Sequence, residues 1–247
     1  MRILMKFSMD ETFMPTDYHK MIISFIKKSI SEYSEGSFFD EFYNEDISQN
    51  TRKDFSWSMK LMNPEFHRNR IEVLDRKFDL TFAAADKMNM LILFNSFLNQ
   101  KGKKFKISKE NSIKLEKISI LKEKNVEGNV AQFALYSPLV IREHNKESNV
   151  DRYVTVEDED FIEAFKLNLE RAYPALKNEI QEMKIDTSRM KKQVIPLFGH
   201  MIEVSLGNFL AMADRNLLNS MLINSIGSRK SAGFGLLNLI DSWEMRL

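Results

Sequence analysis

One order of elements occurs twice along the 247 residues: strand, helix, strand pair, helix, strand. In the first copy, Arg2–Met9 alternates apolar and polar residues in part and reads as a strand. Pro15, Thr16 and Asp17 mark a helix start, and Met21, Ile22, Phe25, Ile26 and Ile30 carry helical spacing through residues 18–30. Residues 31–50 are polar and aromatic without a period, and read as a loop. FSWSMKL, Phe55–Leu61, alternates strictly, and residues 70–74 are expected as its hairpin partner, with Asn63-Pro64 opening the connection. Residues 77–83 alternate again, Asp86 caps a helix running to about Leu98, and residues 105–120 and 130–135 read as further strands.

The second copy starts in residues 131–136, where Ser137-Pro138 interrupts the ladder. A periodic helix follows over 158–172 (Phe161, Ile162, Phe165, Leu169). Residues 184–197 and 201–213 then read as a long hairpin around Phe198, Gly199 and His200. A short helix over 216–223, a glycine-rich loop and a last strand over 234–240 complete it. A strand-helix-strand-strand-helix-strand unit is the split βαβ arrangement of ferredoxin-like domains. The expectation is therefore an α+β protein of two tandem ferredoxin-like (RRM-like) units, 1–128 and 129–247, joined near residues 128–149, with a glycine-rich loop near the C-terminus.

Composition removes several chemistries. The chain has no cysteine, so disulfides, thiolate metal sites and a cysteine nucleophile are excluded. MRILMKFSMDE meets charge within two residues and lacks a signal-peptide core, and no apolar run is long enough to span a bilayer. A soluble, cytoplasmic protein without a membrane partner is expected. Net charge is +1, so any polyanion must be recognised by local rather than overall charge.

The most unusual local feature is SIGSRKSAGFG, residues 225–235. It holds Gly227, Gly233 and Gly235 in a chain with only 8 glycines, and sets Arg229 and Lys230 between them. Successive N–H groups in such a loop form an anion-binding nest. The spacing lacks the terminal Gly-Lys-Ser/Thr of a mononucleotide phosphate loop. The order helix, loop, strand is the reverse of the dinucleotide motif. On composition alone, a tight charged helix-to-strand connection accounts for the loop equally well. Residues 186–235 nonetheless carry Arg189, Lys191, Lys192, Arg215, Arg229 and Lys230 against Asp186, Glu203 and Asp214, a pattern suited to tracking a nucleic-acid backbone. The lysine-rich stretch 101–124 reads as a solvated face.

Three stretches together resemble one family. SIGSRKSAGFG is similar to the C-terminal glycine-rich loop of the CRISPR repeat-processing endoribonucleases, the Cas six family of the repeat-associated ferredoxin-like RNA binders, with Gly227, Arg229, Lys230, Gly233, Phe234 and Gly235 filling its pattern. LYSPLVIRE, residues 135–143, resembles the family's Ser-Pro segment at the start of the second unit. The first strand followed by DYHKMIISFIKKSI resembles its opening strand and helix.

The resemblance implies a metal-independent cut in the CRISPR repeat of a precursor RNA, with a ribose 2′-hydroxyl as nucleophile, and no cofactor. It implies repeat RNA as partner, with effector-complex subunits and a second copy of the chain as further candidates. RNA contact falls to Arg52, Arg189, Lys191, Lys192, Gly227, Ser228, Arg229, Lys230, Gly233 and Gly235. Many members carry a general-base histidine after the first helix; here residues 31–55 contain none, and the spot falls nearest Phe42 or Tyr43. The catalytic candidates are His19 at the start of the first helix, Lys28 further along it, Tyr43 and Lys53. A lysine of ordinary pKa is a poor base but a good electrostatic stabiliser. His67, His144 and His200 read as polar turn or loop residues. The other reading is an RNA-holding protein of the same fold that does not cut.

Overall fold

The computed structural model of the chain describes residues 1–43, 54–145 and 150–245. They form two units: Met1–Lys122 with Pro196–Gly199, and Glu123–Ile195 with His200–Leu247. No helix among the described residues is long and apolar enough to cross a membrane.

The first unit runs β1 (Arg2–Met9), β2 (Phe13–Met14), α1 (Tyr18–Ser31), α2 (Phe39–Tyr43), β3 (Phe55–Leu61), β4 (Pro64–Phe66), β5 (Ile71–Val73), β6 (Lys77–Ala84), α3 (Lys87–Gln100), β7 (Lys104–Lys106) and β8 (Ser112–Leu121). Its main sheet has the order β3-β6-β1-β8-β7. Taking β1, β3, β6 and β8 as the four strands of the expected unit, the central strands lie antiparallel in the order second, third, first, fourth, as a ferredoxin-like unit requires. Asp17 caps α1 by accepting from the Lys20 N–H, and Asp86 caps α3 by accepting from Asn89 at 2.7 Å. The inward residues Met21, Ile22, Phe25, Ile26 and Ile30 of α1 are buried, as their spacing predicts. Phe7 stacks on Phe78 at 4.7 Å and meets the edge of Phe25 at 5.3 Å, which ties α1 to the sheet.

The second unit runs β9 (Val130–Leu135), β10 (Ile141–Asn145), β11 (Val150–Val154), α4 (Phe161–Ala172), α5 (Lys177–Glu182), β12 (Lys184–Asp186), β13 (Met190–Leu197), β14 (His200–Met212), α6 (Arg215–Asn224) and β15 (Leu237–Trp243). Its sheet has the order β12-β14-β9-β15, again second, third, first, fourth, with β13 also paired to β14. Phe133, Phe165 and Phe209 join strand and helix in its core at centroid distances of 5.4 and 6.2 Å. The fold is α+β, two ferredoxin-like units in tandem.

The structure departs from the sequence reading in several stretches. Residues 31–43 are not simply loop: a short 3-10 turn at Ser34–Gly36 and the helix α2 lie there. Residues 70–74 do not pair with β3; β5 joins β4 and β2 in a separate small sheet, while β3 pairs with β6 from Phe55↔Ala84 to Leu61↔Phe78. A three-residue strand cannot match the full length of β3, and β6 can. The stretch after Pro138, read as part of the join between the two units, holds the β10–β11 hairpin, so His144 is a strand residue rather than a loop one. The last strand begins at Leu237 because Gly233 and Gly235 adopt positive φ and keep the preceding residues in the loop.

Candidate nucleic-acid interface

The glycine-rich loop and the Ser-Pro segment, far apart in sequence, form one seam. The Ser228 N–H donates to the Val140 carbonyl at 2.7 Å, and the Gly235 N–H donates to the Pro138 carbonyl at 2.8 Å. The Ser137 hydroxyl oxygen accepts from Leu236 N–H at 2.9 Å. Gly227, at φ 80°, makes the approach possible: a Cβ there would lie 2.6 Å from Leu139 Cδ1 and 2.7 Å from the Val140 oxygen. Gly233 closes the turn by donating to the Lys230 carbonyl at 2.9 Å. Asn168 of α4 reaches the Ser228 hydroxyl at 3.2 Å and leaves its own Oδ1 buried without a partner.

The two basic residues of the loop have different surroundings. Lys230 is buried, and its ammonium donates to the Asn224 carbonyl at 2.8 Å, at the C-terminus of α6, where the helix dipole favours a cation. Arg229, held at φ 57°, donates to the Tyr153 hydroxyl at 2.8 Å and to Asp151 at 3.3 Å. Its guanidinium lies 5.8 Å from the Tyr153 ring centre, and its Nε is buried with no partner.

Asp151 is the centre of a cationic cluster. Arg142 donates to it at 3.1 Å and His144 Nδ1 lies 2.9 Å away. The register Arg142↔Tyr153 and His144↔Asp151 sets these side chains on one face of the hairpin, and Glu143↔Arg152 on the other. Burial pushes the Asp151 carboxyl up, but the hydrogen bonds from His144 and Arg142 and the charges of Arg142 and Arg229 outweigh it, and the group sits below its usual range. Two guanidiniums face one carboxylate, so the cluster keeps a positive surplus. On the opposite face Arg152 is neutralised by Asp160 at 2.6 Å and Glu143 at 3.3 Å.

The other expected contacts divide. Arg189 is an exposed turn residue between β12 and β13, not part of a strand; Lys191 is exposed on β13, and Lys192 pairs with Glu203 at 2.7 Å. Arg52 and Lys53 lie outside the described residues. His19 is only 2% exposed, its ring stacked on Tyr18 at 4.3 Å and tilted against Trp57 at 5.4 Å. The Lys28 ammonium lies 3.5 Å from Glu32 and 5.6 Å from the Phe105 ring centre. Tyr43 stands instead beside Lys27, whose ammonium is 4.9 Å from its ring centre. Consecutive helix residues project about 100° apart, so Lys27 and Lys28 serve different neighbours, and sequence reasoning overlooked Lys27. Burial pushes the Tyr43 hydroxyl well above the ordinary tyrosine value, so it stays protonated at neutral pH.

Among the described residues, Glu65, His67 and Glu72 on the β4–β5 hairpin bring three ligand atoms within 4.8 Å of one another, a set that can hold a divalent cation. His67 lies exposed in the turn between β4 and β5, as its place in the sequence suggests, 3.5 Å from Glu72, while His200 is exposed at the start of β14.

Residues 121–239 match the family described as CRISPR associated protein Cas6, C-terminal. No curated protein matches the chain in sequence. Among solved structures, an RAMP protein binding different RNA substrates is 20% identical with a TM-score of 0.80, covering 98% of this chain and 100% of that one. A Cas6-related protein from Pyrococcus furiosus is 18% identical with a TM-score of 0.80, covering 98% and 99%. A Cas6 product complex is 11% identical with a TM-score of 0.70, covering 97% and 99%. At such identities the likeness is one of fold.

Proposed function

Because the chain belongs to the Cas6 family through its C-terminal region, residues 121–239, we propose that it binds CRISPR repeat RNA and cuts it to release guide RNAs from a longer precursor. The observation that carries the reading is the seam of loop and Ser-Pro segment, with Arg229, Arg142 and His144 gathered on Asp151 beside it. A phosphate backbone meets there a positive surplus beside a loop held rigid by its own backbone bonds. Lys191 and Arg189, both exposed on the same unit, carry further RNA contact.

In the proposed reaction the 2′-oxygen upstream of the scissile bond attacks phosphorus and the P–O5′ bond breaks. The proton lost from the 2′-oxygen is balanced by one delivered to the 5′-oxygen. The products are a 2′,3′-cyclic phosphate and a 5′-hydroxyl. Neither a metal nor a redox partner enters this balance. Tyr43, held protonated, serves the leaving oxygen, and the ammonium groups of Lys28 and Lys53 offset the charge of the phosphorane. His19, packed against Trp57, is assigned to the core of its unit rather than to proton transfer. The guide RNA then passes to subunits of an effector complex in the cytoplasm, and a second copy of the chain is a further candidate partner.

The burial of His19 and the lack of histidine in residues 31–55 favour a second reading, an RNA-holding protein that does not cut. Incubation with the repeat RNA of the host in EDTA separates the two. One cut, blocked by a deoxyribose just upstream of it, supports the enzyme; tight binding without a cut supports the holder.

A further inference from the structure

The open face of the second sheet holds a depression of about 230 Å³ that the glycine-rich loop and the Asp151 cluster do not explain. It is lined by Trp243 of β15, Gln132 of β9, Asn208 of β14, and Asp186 and Arg189 at the turn after β12.

A β-bulge aims the tryptophan there. The register of β15 on β9 runs Leu239↔Phe133, then shifts, so that Asp241 faces Gln132 and Trp243 faces Val130. Phe133 and Ala131 point into the core, and Gln132 to the other side. Without the inserted residue, Trp243 would share the parity of Leu239 and point into the core. The bulge turns its indole out onto the face of Gln132 and leaves it 37% exposed. Trp57, by contrast, is fully buried in the first unit.

The turn that carries Arg189 is held as firmly. Met190 N–H donates to the Thr187 carbonyl at 2.8 Å, and Asp186 accepts from Ser188 N–H at 2.9 Å, which closes the turn. The turn lies on β14 at Gly207, where a Cβ would come within 2.3 Å of the Arg189 oxygen. Asn208 N–H donates to that same oxygen at 3.3 Å.

We propose that this depression is a binding subsite for one unpaired nucleobase of single-stranded RNA, stacked on Trp243, with the Asn208 and Gln132 amides on its edge and Arg189 on the adjoining phosphate. A flat aromatic wall takes the π-face of a base, side-chain amides pair with base donors and acceptors, and the volume suits one base rather than a paired stem. The proposal rests on the RNA-binding reading and adds to it a contact on the sheet face away from the loop.

The test uses the full chain and the repeat RNA of its host, with RNA affinity measured by filter binding and tryptophan emission followed in the same titration. Trp57 is buried and supplies a constant background, so a base stacking on Trp243 quenches the emission as RNA saturates. Trp243→Ala is expected to weaken binding about tenfold and abolish the quench, while Trp243→Phe keeps most of the affinity. Matching thermal unfolding curves certify that the variants are folded. RNA binding of unchanged affinity in Trp243→Ala, or saturation with no quench in the parent, overturns the subsite while the RNA-binding reading stands. Absence of any RNA binding by the parent protein overturns both.

Discussion

The backbone N–H of Ser228 donates to the carbonyl of Val140 over 2.7 Å, and this contact joins the glycine-rich loop to the Ser-Pro segment. Two motifs that read separately along the chain are thus two sides of one structure. The loop is held by backbone bonds and by the Lys230 ammonium on the Asn224 carbonyl, which leaves Arg229 to act on the Asp151 cluster.

Gly227→Ala tests the seam. The substitution sets a Cβ against Leu139 and the Val140 carbonyl at a φ of 80° that alanine adopts only with strain. A loss of about 1–3 kcal/mol in unfolding free energy is expected, with weaker RNA binding alongside. Urea unfolding that matches the parent protein would show that the seam tolerates a side chain.

Arg229→Ala and Lys230→Met are expected to separate. Arg229 is 27% exposed at its side chain beside the cationic cluster, so its loss lowers RNA affinity and reduces the salt slope by about 0.7, one phosphate on a single strand. Lys230 spends its ammonium on the Asn224 carbonyl, so its loss lowers the melting temperature and leaves the slope unchanged. Filter binding at several salt concentrations checks both; a slope that falls equally in the two variants refutes the division.

The Asp151 carboxyl sits below its usual range, and its contribution to stability therefore has a fixed sign. Above the unfolded value, about 3.9, that contribution is fully present; it is lost as pH falls through the lower folded value. Asp151→Asn should be less stable than the parent at pH 7 and lose that difference in stronger acid. The same variant removes the one negative charge of the cluster, so at neutral pH it should bind RNA more tightly with a steeper salt dependence. Unfolding difference curves at pH 7 and pH 3 decide the first point.

Tyr43→Phe is expected to slow single-turnover cleavage at least tenfold while RNA affinity stays within about twofold, because it removes a proton donor and keeps the ring beside Lys27. Lys28→Ala should act in the same direction through lost charge. Equal losses in binding and cleavage would point to damaged folding and discard the assignment.

Much of the fold was legible because it depends on local chemistry. Asp17 and Asp86 cap helices where an aspartate precedes a helical period, and strict alternation marked β3 and β6. Two repeats of one element order implied two sheets of one strand order, and the glycine-rich loop was visible against a glycine-poor background. The β10–β11 hairpin was not, since its polar residues carry no apolar period and acquire their meaning only when His144 and Arg142 meet Asp151 across the strands.

Residue types and their spacing thus determined which elements form, in which order, and where the chain could approach a polyanion. The tertiary structure alone decided which of two adjacent lysines meets Tyr43, that Lys230 caps a helix while Arg229 faces the cluster, and that a single bulge turns Trp243 outward. Each of these turns on about 100° of helix rotation or on the parity of one residue in a ladder, and parity is set by the partner strand, which a linear sequence does not name.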